Sequence, residues 1–315
     1  MTVKEFVLKE LEIHRDQYLS GEELAEKKGV TRASVWKAIK ELQKEGYEIQ
    51  SHRKRGYLLS PNNDLLSSQG IASYLKGDLK DLRILSYKTI DSTNEEGKRL
   101  LTENTPPFLV VSEEQTKGKG RLGRSFYSPK ETGIYMTFVY PFNEGLEKAL
   151  SITTIASVAV AQVLEKLSGK EIGIKWVNDL YLEDKKIAGI LTEAITSLET
   201  SKIETVLVGI GINIHTVDFP KDLEKIASSL HEDLIRNQCI GEIVNTFTEL
   251  LDNPSNYLDY YRKRHILQGK EVYYIQGQKK EKARVIGIND LGALLLDKDG
   301  ETLTLHSGEV TLRKV

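Results

Sequence analysis

Glu114-Gln115-Thr116-Lys117-Gly118-Lys119-Gly120-Arg121-Leu122-Gly123-Arg124 is the stretch on which the choice of fold turns. Gly118, Gly120 and Gly123 fit G-x-G-x-x-G, the spacing of a dinucleotide-binding turn. Such a turn opens a helix and is followed by an acid about 20 residues on. Here the apolar run Leu109-Val110-Val111 precedes the glycines as a strand should, but Ser125 to Tyr140 reads as more strand, not helix. Four cations, Lys117, Lys119, Arg121 and Arg124, also crowd this loop. A Rossmann turn holds pyrophosphate with backbone N–H groups and a helix end, whereas this loop brings its own charge. The P-loop pattern G-x-x-x-x-G-K-[ST] is absent as well. A glycine-rich cationic loop suits a polyanion such as a nucleoside triphosphate, over which flexible glycines let it close. A merely solvated basic loop is the plain alternative.

Three further segments carry chemistry-bearing residues. Lys175-Trp176-Val177-Asn178-Asp179 leads through Leu180-Tyr181-Leu182 and a turn at Glu183-Asp184-Lys185 into Lys186-Ile187-Ala188-Gly189-Ile190-Leu191. This reads as a β-hairpin with Lys186 opening the returning strand. A lysine beside a glycine-lined strand can neutralise a carboxylate and a phosphate together. Asp179 is the candidate to help hold Mg²⁺ on phosphates. Taken singly, these residues are turn chemistry and surface charge. In Asp91-Ser92-Thr93-Asn94-Glu95, Ser92 and Glu95 have the spacing of a capping box, and the hydroxyl and amide groups at a helix start also suit a small polar ligand. Gly209-Ile210-Gly211-Ile212-Asn213 ends a strand. Its glycines either let a flat ligand approach the backbone or mark a bulge or tight packing under a helix.

Outward from these segments the chain has three textures. Residues 63–266 alternate strand-like runs (Leu109–Val111, Ile134–Tyr140, Ile187–Leu191, Val206–Ile214) with helical patterns at 146–168 and 242–265. This predicts a mixed α/β domain on a substantial sheet. Residues 267–315 are short β-rich runs punctuated by Gly277, Asn289-Asp290-Leu291-Gly292 and Asp299-Gly300, which predicts a small barrel leaning on its neighbour. Residues 1–62 read helix, helix, helix, hairpin. Ser20 and Glu23 form a capping box, Thr31 caps the third helix, and Val35, Ala38, Ile39 and Leu42 share one face of it. The hairpin strands are expected at Tyr47–Gln50 and Tyr57–Ser60, with Arg53-Lys54-Arg55-Gly56 at the tip and a linker at Pro61-Asn62-Asn63.

Two short helices joined at Gly29-Val30 and followed by a hairpin have the order of a winged helix-turn-helix, whose second helix would enter a DNA major groove. The charge is polarised to match. Glu5, Glu10, Glu12, Asp16, Glu22, Glu23 and Glu26 fill the start, while Arg32, Lys37, Lys40, Lys44, Arg53, Lys54 and Arg55 lie on the reading helix and wing. Phosphate contacts need such cations. Ser34, Trp36 and Lys37 are the candidates on the groove side. A solvated face of a protein–protein module is the alternative.

The whole chain of 315 residues has 44 Lys+Arg against 46 Asp+Glu, a net charge of -2, so a general basic coat for nucleic acid is excluded. The single cysteine, Cys239, excludes an internal disulfide framework and a zinc site of several thiolates. There is no G-x-S-x-G, no H-E-x-x-H, and the six histidines (14, 52, 215, 231, 265, 306) are scattered. The longest uncharged run, Ala149 to Leu164, is shorter than the ~20 residues that cross a bilayer. With no apolar run behind the basic start, no signal peptide is expected, and the expectation is a cytoplasmic protein without membrane partners.

Together, Ser92-Thr93-Asn94, the basic glycine loop after Gln115, Lys175-Trp176-Val177-Asn178-Asp179 with Lys186, and Gly209-Ile210-Gly211-Ile212-Asn213 resemble the biotin–protein ligases. With the winged helix before and the small barrel after, nearly the whole chain is similar to their bifunctional, operon-repressor form. The resemblance implies an α+β multidomain protein: winged helix-turn-helix, central ligase domain, and SH3-like β-barrel. It implies activation of biotin with Mg·ATP to biotinyl-5′-AMP, then acylation of a lysine on a biotin carboxyl carrier protein. It also implies repression of biotin genes at operator DNA by an adenylate-bound homodimer, the adenylate being corepressor.

Carried over residue by residue, the resemblance gives biotin to Ser92, Thr93, Asn94, Gln115, Lys119, Gly120, Arg121, Lys186, Gly189 and Gly209. It gives ATP or adenylate to Gly118, Lys119, Arg121, Arg124, Phe126, Lys175, Asn178 and Asn213, with Asp179 for Mg²⁺ and Lys186 and Arg121 as the catalytic pair. DNA falls to Arg32, Ser34, Trp36, Lys37, Lys40, Arg53, Lys54 and Arg55. The family loop is usually Gly-Arg-Gly-Arg-Arg-Gly-Arg. Here Lys119 and Leu122 replace two arginines and lose their bidentate contacts, Phe126 stands where Trp is common, and Val177 where Pro is. The alternatives are a non-catalytic biotin-sensing regulator and a lipoate-type ligase.

Overall fold

A computed structural model describes residues 1–142, 146–196, 202–276, 279–306, 308 and 310–312. The first three helices, α1 (Val3–Ile13), α2 (Gly21–Lys28) and α3 (Arg32–Lys44), precede a hairpin of β1 (Ile49–His52) and β2 (Gly56–Leu59). Side chains placed by the sequence set the helix starts. Ser20 and Glu23 complete a capping box on α2, and Thr31 Oγ1 accepts the Ser34 N–H at 3.2 Å. Gly29 closes α2 at φ 71°, a left-handed position that favours glycine. Phe6, Val7, Leu11, Leu24, Val35, Ile39, Leu42 and Leu59 bury together as a core of their own. The first hairpin strand starts at Ile49, not Tyr47, because the Tyr47 N–H closes the end of α3 by donating to Leu42 O at 3.1 Å.

The central region contains α4 (Ser68–Ala72), β3 (Arg83–Tyr87), α5 (Thr93–Leu100), β4 (Phe108–Ser112), β5 (Gly133–Pro141), α6 (Leu146–Ser168), β6 (Gly173–Lys175), β7 (Asp179–Leu182), β8 (Lys185–Thr196), β9 (Ile203–Asn213), α7 (Arg236–Asp252) and α8 (Tyr257–Arg264). Its seven strands run β3-β4-β5-β9-β8-β7-β6, with β3 parallel to β4 and every other neighbour antiparallel. Helices α6 and α7 pack together on one side. On the other, α5 covers β4, β5 and β9, where Phe108, Val110, Val139 and Leu207 bury.

Two further expectations are corrected. Ser125 to Thr132 is not strand: it returns irregularly across the glycine loop, and β5 begins only at Gly133. The single helical pattern at 242–265 is two helices, parted where Pro254 interrupts the N–H ladder.

The last five strands, β10 (Glu271–Gln276), β11 (Lys279–Ile288), β12 (Leu294–Lys298), β13 (Glu301–Leu305) and β14 (Val310–Thr311), form an antiparallel sheet in the order β13-β12-β11-β10-β14. The expected turns appear at Asn289–Gly292 and at Asp299-Gly300, where φ is 53° and 89°; the one at Gly277 lies outside the described residues. Val272, Tyr274, Val285, Leu294 and Leu296 join the central core, so this sheet leans on the large domain. Trp176 Nε1 also donates to Gly292 O at 3.0 Å. Among the described residues no helix is long and apolar enough to cross a membrane.

Candidate functional site

The site forms on the α5 face of the sheet. Ser92 is the N-cap residue of α5, but its side chain makes no capping hydrogen bond, so the expected capping box with Glu95 is not formed. Ser92 is buried and lines a cavity instead. Gln115 Oε1 accepts the Thr93 N–H at 2.8 Å and the Thr93 hydroxyl at 3.1 Å, while Gln115 Nε2 donates to Ser128 Oγ at 2.9 Å. The buried Thr137 hydroxyl on β5 faces Thr93 Oγ1 at 2.8 Å and Asn94 Oδ1 at 2.6 Å. Asn94 Nδ2 donates to Glu193 Oε2 on β8 at 2.7 Å. The side chains of Thr93, Asn94, Gln115 and Thr137 are therefore oriented by neighbouring polar groups, which preorganises the cradle for a small polar group.

Gly209 and Gly211 on β9 explain how the cradle fits. A Cβ at Gly209 would lie 2.1 Å from Asn94 Oδ1, and one at Gly211 would lie 2.5 Å from the Phe126 ring. The glycines thus admit two side chains, Asn94 and Phe126, rather than laying bare backbone for a flat ligand. Gly118 is tight in the same way, its Cβ position 2.4 Å from Phe126 O. The backbone freedom of the loop is used two residues past Gly120, where Leu122 and Gly123 take φ 57° and 75° in succession.

From this loop, Lys119 pairs with Glu95 at 2.7 Å. Arg121 donates through Nη1 to Asn178 Oδ1 and through Nη2 to Gly308 O, both at 3.1 Å, tying the loop to the hairpin and to the C-terminal sheet. Hydrogen bonds from Lys119 and Lys98 hold the Glu95 carboxyl below the usual carboxylate range.

The hairpin expected between Asp179 and Leu191 is present, Asp179 standing opposite Gly189. The Lys186 ammonium lies over Gly189, whose Cβ would come within 3.0 Å of Nζ, and reaches Asp179 Oδ1 at 2.5 Å. Asn178 is pinned by its Nδ2 donating to Ile190 O at 2.7 Å. Lys175 sits over the Tyr181 ring at 5.9 Å. Asn213 is placed differently from its expected role. It lines neither cavity described next, its Nδ2 donates to Ser228 O at 3.0 Å, and its Oδ1 is buried without a partner.

Two cavities adjoin. The first runs from Ser92, Thr93, Asn94 and Gln115 past Gly189 and Gly209; the second is lined by Arg124, Lys175 and Asp179. Gly120, Arg121, Phe126, Asn178 and Lys186 line both. An uncharged polar end and a cationic end therefore meet at two cations, Arg121 and Lys186, whose charge suits anionic groups where the two cavities join. For Mg²⁺, Asp179 is a single carboxylate already taken by Lys186, and among the described residues no three His, Cys, Asp or Glu gather. That donor set fits a cation carried mainly by nucleotide phosphates and not one in a protein cage.

The winged helix presents its expected face. Arg32, Trp36, Lys37, Lys40 and the tip residues Arg53, Lys54 and Arg55 are exposed, Trp36 at 56%, while Ser34 is partly turned in, its hydroxyl 3.0 Å from Thr31 Oγ1. Sequence reasoning missed Thr137, Ser128, Lys98 and Glu193. Each sits inside an ordinary strand, helix or loop with no motif to mark it, and only strand pairing brings it to the cradle.

Comparison with known proteins agrees with this architecture. Residues 3–58 match the HTH domain family, residues 86–213 the Biotin/lipoate A/B protein ligase family, and residues 268–313 the Biotin protein ligase C terminal domain. The bifunctional ligase/repressor BirA of Bacillus subtilis strain 168 is 32% identical, with 94% of this chain and 94% of that protein covered. Its Escherichia coli K12 counterpart is 29% identical over the same shares. Among solved structures, a biotin protein ligase from Aquifex aeolicus in complex with biotin and ATP is 27% identical with a TM-score of 0.61, covering 74% of this chain and 99% of that one. With similarity running from the winged helix to the last sheet, the chain belongs to the family of bifunctional biotin ligase/repressors.

Proposed function

We propose that the chain condenses biotin with ATP to biotinyl-5′-AMP, releasing pyrophosphate, and transfers the biotinyl group to a lysine of a biotin carboxyl carrier protein, releasing AMP. The observation that carries this reading is the pair of cavities that share Arg121 and Lys186. Ser92, Thr93, Asn94 and Gln115 hold biotin's polar ring end, and Gly189 and Gly209 flank it. Arg124, Phe126, Lys175 and Asn178 hold the nucleotide, with Gly118, Lys119 and Gly120 shaping the loop across both. Asn213, which lines neither cavity, serves the nucleotide end indirectly, by holding the segment at Ser228 against β9.

In the first step a biotin carboxylate oxygen attacks the α-phosphorus and the bond to pyrophosphate breaks. The reacting groups are anions, so a barrier of repulsion and developing charge must be lowered. Lys186 and Arg121, fixed between the cavities, do this without reorganising at the moment of reaction. Asp179 is the residue that would help hold the Mg²⁺ accompanying ATP, and that cation would supply charge neutralisation on the phosphates. The second step needs no enzyme nucleophile: AMP is a good leaving group, and positioning of the carrier lysine against the mixed anhydride supplies the rate. Closure of the loop from Gly118 to Arg124 keeps water from the anhydride.

The winged helix, residues 1–62, is the operator-binding domain. Residues 63–266 form the catalytic domain and residues 267–315 the small C-terminal domain. Adenylate-bound chains pair to read a two-fold operator, the adenylate acting as corepressor, and the protein works in the cytoplasm. Incubation of the purified chain with ATP and either biotin or lipoate, followed by a carrier domain, tests the reading. Labelling with biotin alone is expected; lipoate transfer, or binding of biotin without any adenylate, would replace it by one of the two alternatives.

A further inference from the structure

Lys119 lines the first cavity, yet its ammonium is engaged away from it. It lies 2.7 Å from Glu95 Oε1 on α5, and the same oxygen takes Lys98 at 2.9 Å. Lys98 also reaches Glu193 Oε1 at 2.7 Å, and the second oxygen of Glu193 accepts the Asn94 amide at 2.7 Å. Charge thus alternates from the loop to the cradle: Lys119, Glu95, Lys98, Glu193, then the pinned amide of Asn94. No residue in this row between Lys119 and Asn94 touches a cavity. The row spans three separate pieces of chain, the glycine loop, α5 and β8, so it cannot arise from helix spacing alone.

We propose that Lys119 is a positioning residue: through Glu95 it clasps the glycine loop onto α5, and Lys98 with Glu193 joins that clasp to the orientation of Asn94. This rests on reading the cradle as the biotin site and removes Lys119 from the set of direct ligand contacts. The side chains are 45% and 30% exposed, so the pair adds little to global stability. Loop closure, however, is a balance between two states of similar free energy, and a small difference shifts it. A clasp of this strength lets the loop shut over ligand and still reopen to admit a carrier lysine. Because the clasp and the amide share Lys98, a cradle whose Asn94 is held in register favours the closed loop, and the closed loop in turn steadies Asn94.

The test compares wild type, Lys119→Gln, Glu95→Gln and the double variant, with Lys119→Arg as the conservative control. Dissociation of preformed biotinyl-5′-AMP from each is followed directly. Each single variant is expected to release it about two- to fivefold faster, the range of a partly exposed ion pair, and the double variant no faster than either single. Lys119→Arg should stay near wild type. Near ~1 M salt, where the screening length is about 3 Å, wild type should approach the variants while they barely change. Effects that multiply in the double variant, or a Glu95→Gln rate equal to wild type, would overturn the clasp.

An arginine-specific protease acting at Arg121 and Arg124 on the ligand-free chain gives a second reading that needs no adenylate. Cleavage should quicken equally in both single variants. If wild type makes no biotinyl-AMP but this cleavage pattern holds, the ligase reading fails and the clasp stands; equal cleavage in wild type and both variants sinks the clasp whatever the ligase does.

Discussion

The guanidinium of Arg236 lies 2.7 Å from Glu113 Oε2, and through that pair the start of α7 grips the strand end from which the glycine loop departs. Arg236 is only 2% exposed. Its Nε also reaches Asp64 Oδ2 at 2.5 Å, its Nη2 donates to Asp64 O at 2.6 Å, and its Nη1 to Gly133 O at 3.0 Å. The other Glu113 oxygen takes the Leu66 N–H at 2.8 Å. The linker after the winged helix is therefore stapled to the catalytic domain. From the other side, Arg15 Nη1 donates to Asn63 O at 2.9 Å and the Glu48 N–H to Asn63 Oδ1 at 2.9 Å.

Such a site has an asymmetric cost. Replacing Arg236 with leucine leaves the Glu113 and Asp64 carboxylates without their shared cation, and breaking a buried pair from one side costs about 3–5 kcal/mol. Urea unfolding of Arg236→Leu should show a loss of that order. The combination of Arg236→Leu with Glu113→Gln should lose less than the sum of the two single changes, because the second removes the charge stranded by the first.

Lys186→Ala should lower the rate of adenylate formation by about 10²–10³-fold, the equivalent of one preorganised transition-state donor. Its unfolding midpoint should hardly move, since Lys186 and Asp179 are both partly exposed and their pair is worth little to the fold. Single-turnover formation of biotinyl-AMP measures the first quantity and a urea titration the second. A near-normal rate would show that Lys186 serves only Asp179.

Gly209→Ala and Gly211→Ala separate the two ends of the site. The first pushes a methyl toward Asn94 and the second toward the Phe126 ring. Gly209→Ala should weaken biotin binding with ATP affinity little changed, and Gly211→Ala the reverse. Calorimetric titration of each ligand reads both. Equal losses for both ligands in both variants would mean that the glycines maintain general packing and no particular subsite.

How far all this was legible in the chain depends on the kind of signal. Caps at Ser20 and Thr31, the hairpin around Glu183-Asp184 and the long helix from Leu146 are local, and local hydrogen bonding decides them. The loop, hairpin and glycine motifs were visible because their unusual residue types stand out. Thr137 and Glu193 were not, because a threonine or glutamate in a strand has no distinguishing neighbour in sequence. Their roles follow from the pairing of β5 and β8 with β9. The linker illustrates the same limit. Pro61-Asn62-Asn63 reads as a tether, yet Asn63 is buried and hydrogen-bonded to Arg15 and Glu48 of the winged helix, while Asp64 beside it pairs with Arg236 of the catalytic domain.

His265 supplies a pH signature. It ends α8, stacks on Tyr261 at 6.1 Å, and neither ring nitrogen has a hydrogen-bond partner. Burial holds its pKa down to about 4, from 6.5 in a free side chain. Between those values the unfolded chain binds a proton that the fold refuses. The stability tied to neutral His265 is thus full above pH 6.5 and drains away as pH falls toward 4, by on the order of 3 kcal/mol in all. Unfolding midpoints at pH 7.5 and 5 should fall further in wild type than in His265→Phe. The same fall in both would assign the acid sensitivity to other groups.

Removing residues 1–62 is the sharpest test of the division of labour. The winged helix has its own core, and its exposed Trp36 and cationic tip face away from it, so its loss should abolish operator binding. The cut spares Asp64 and so keeps the Arg236 staple, but it removes Arg15 and Glu12, which brace Asn63 and lie near Asn237. The truncated chain should still fold and label a carrier domain, with a lower unfolding midpoint than the full chain. Within the full chain, Lys54→Ala should weaken binding to any DNA and reduce the slope of log affinity against log salt by about 1, one phosphate contact. Trp36→Ala, on the reading helix, should act on sequence preference instead. Because one winged helix covers one half-site and a two-fold operator needs two, operator affinity should rise when biotin and ATP are supplied, in step with chain association measured by sedimentation. Association that is equally tight without them would remove the corepressor role and leave the ligase untouched.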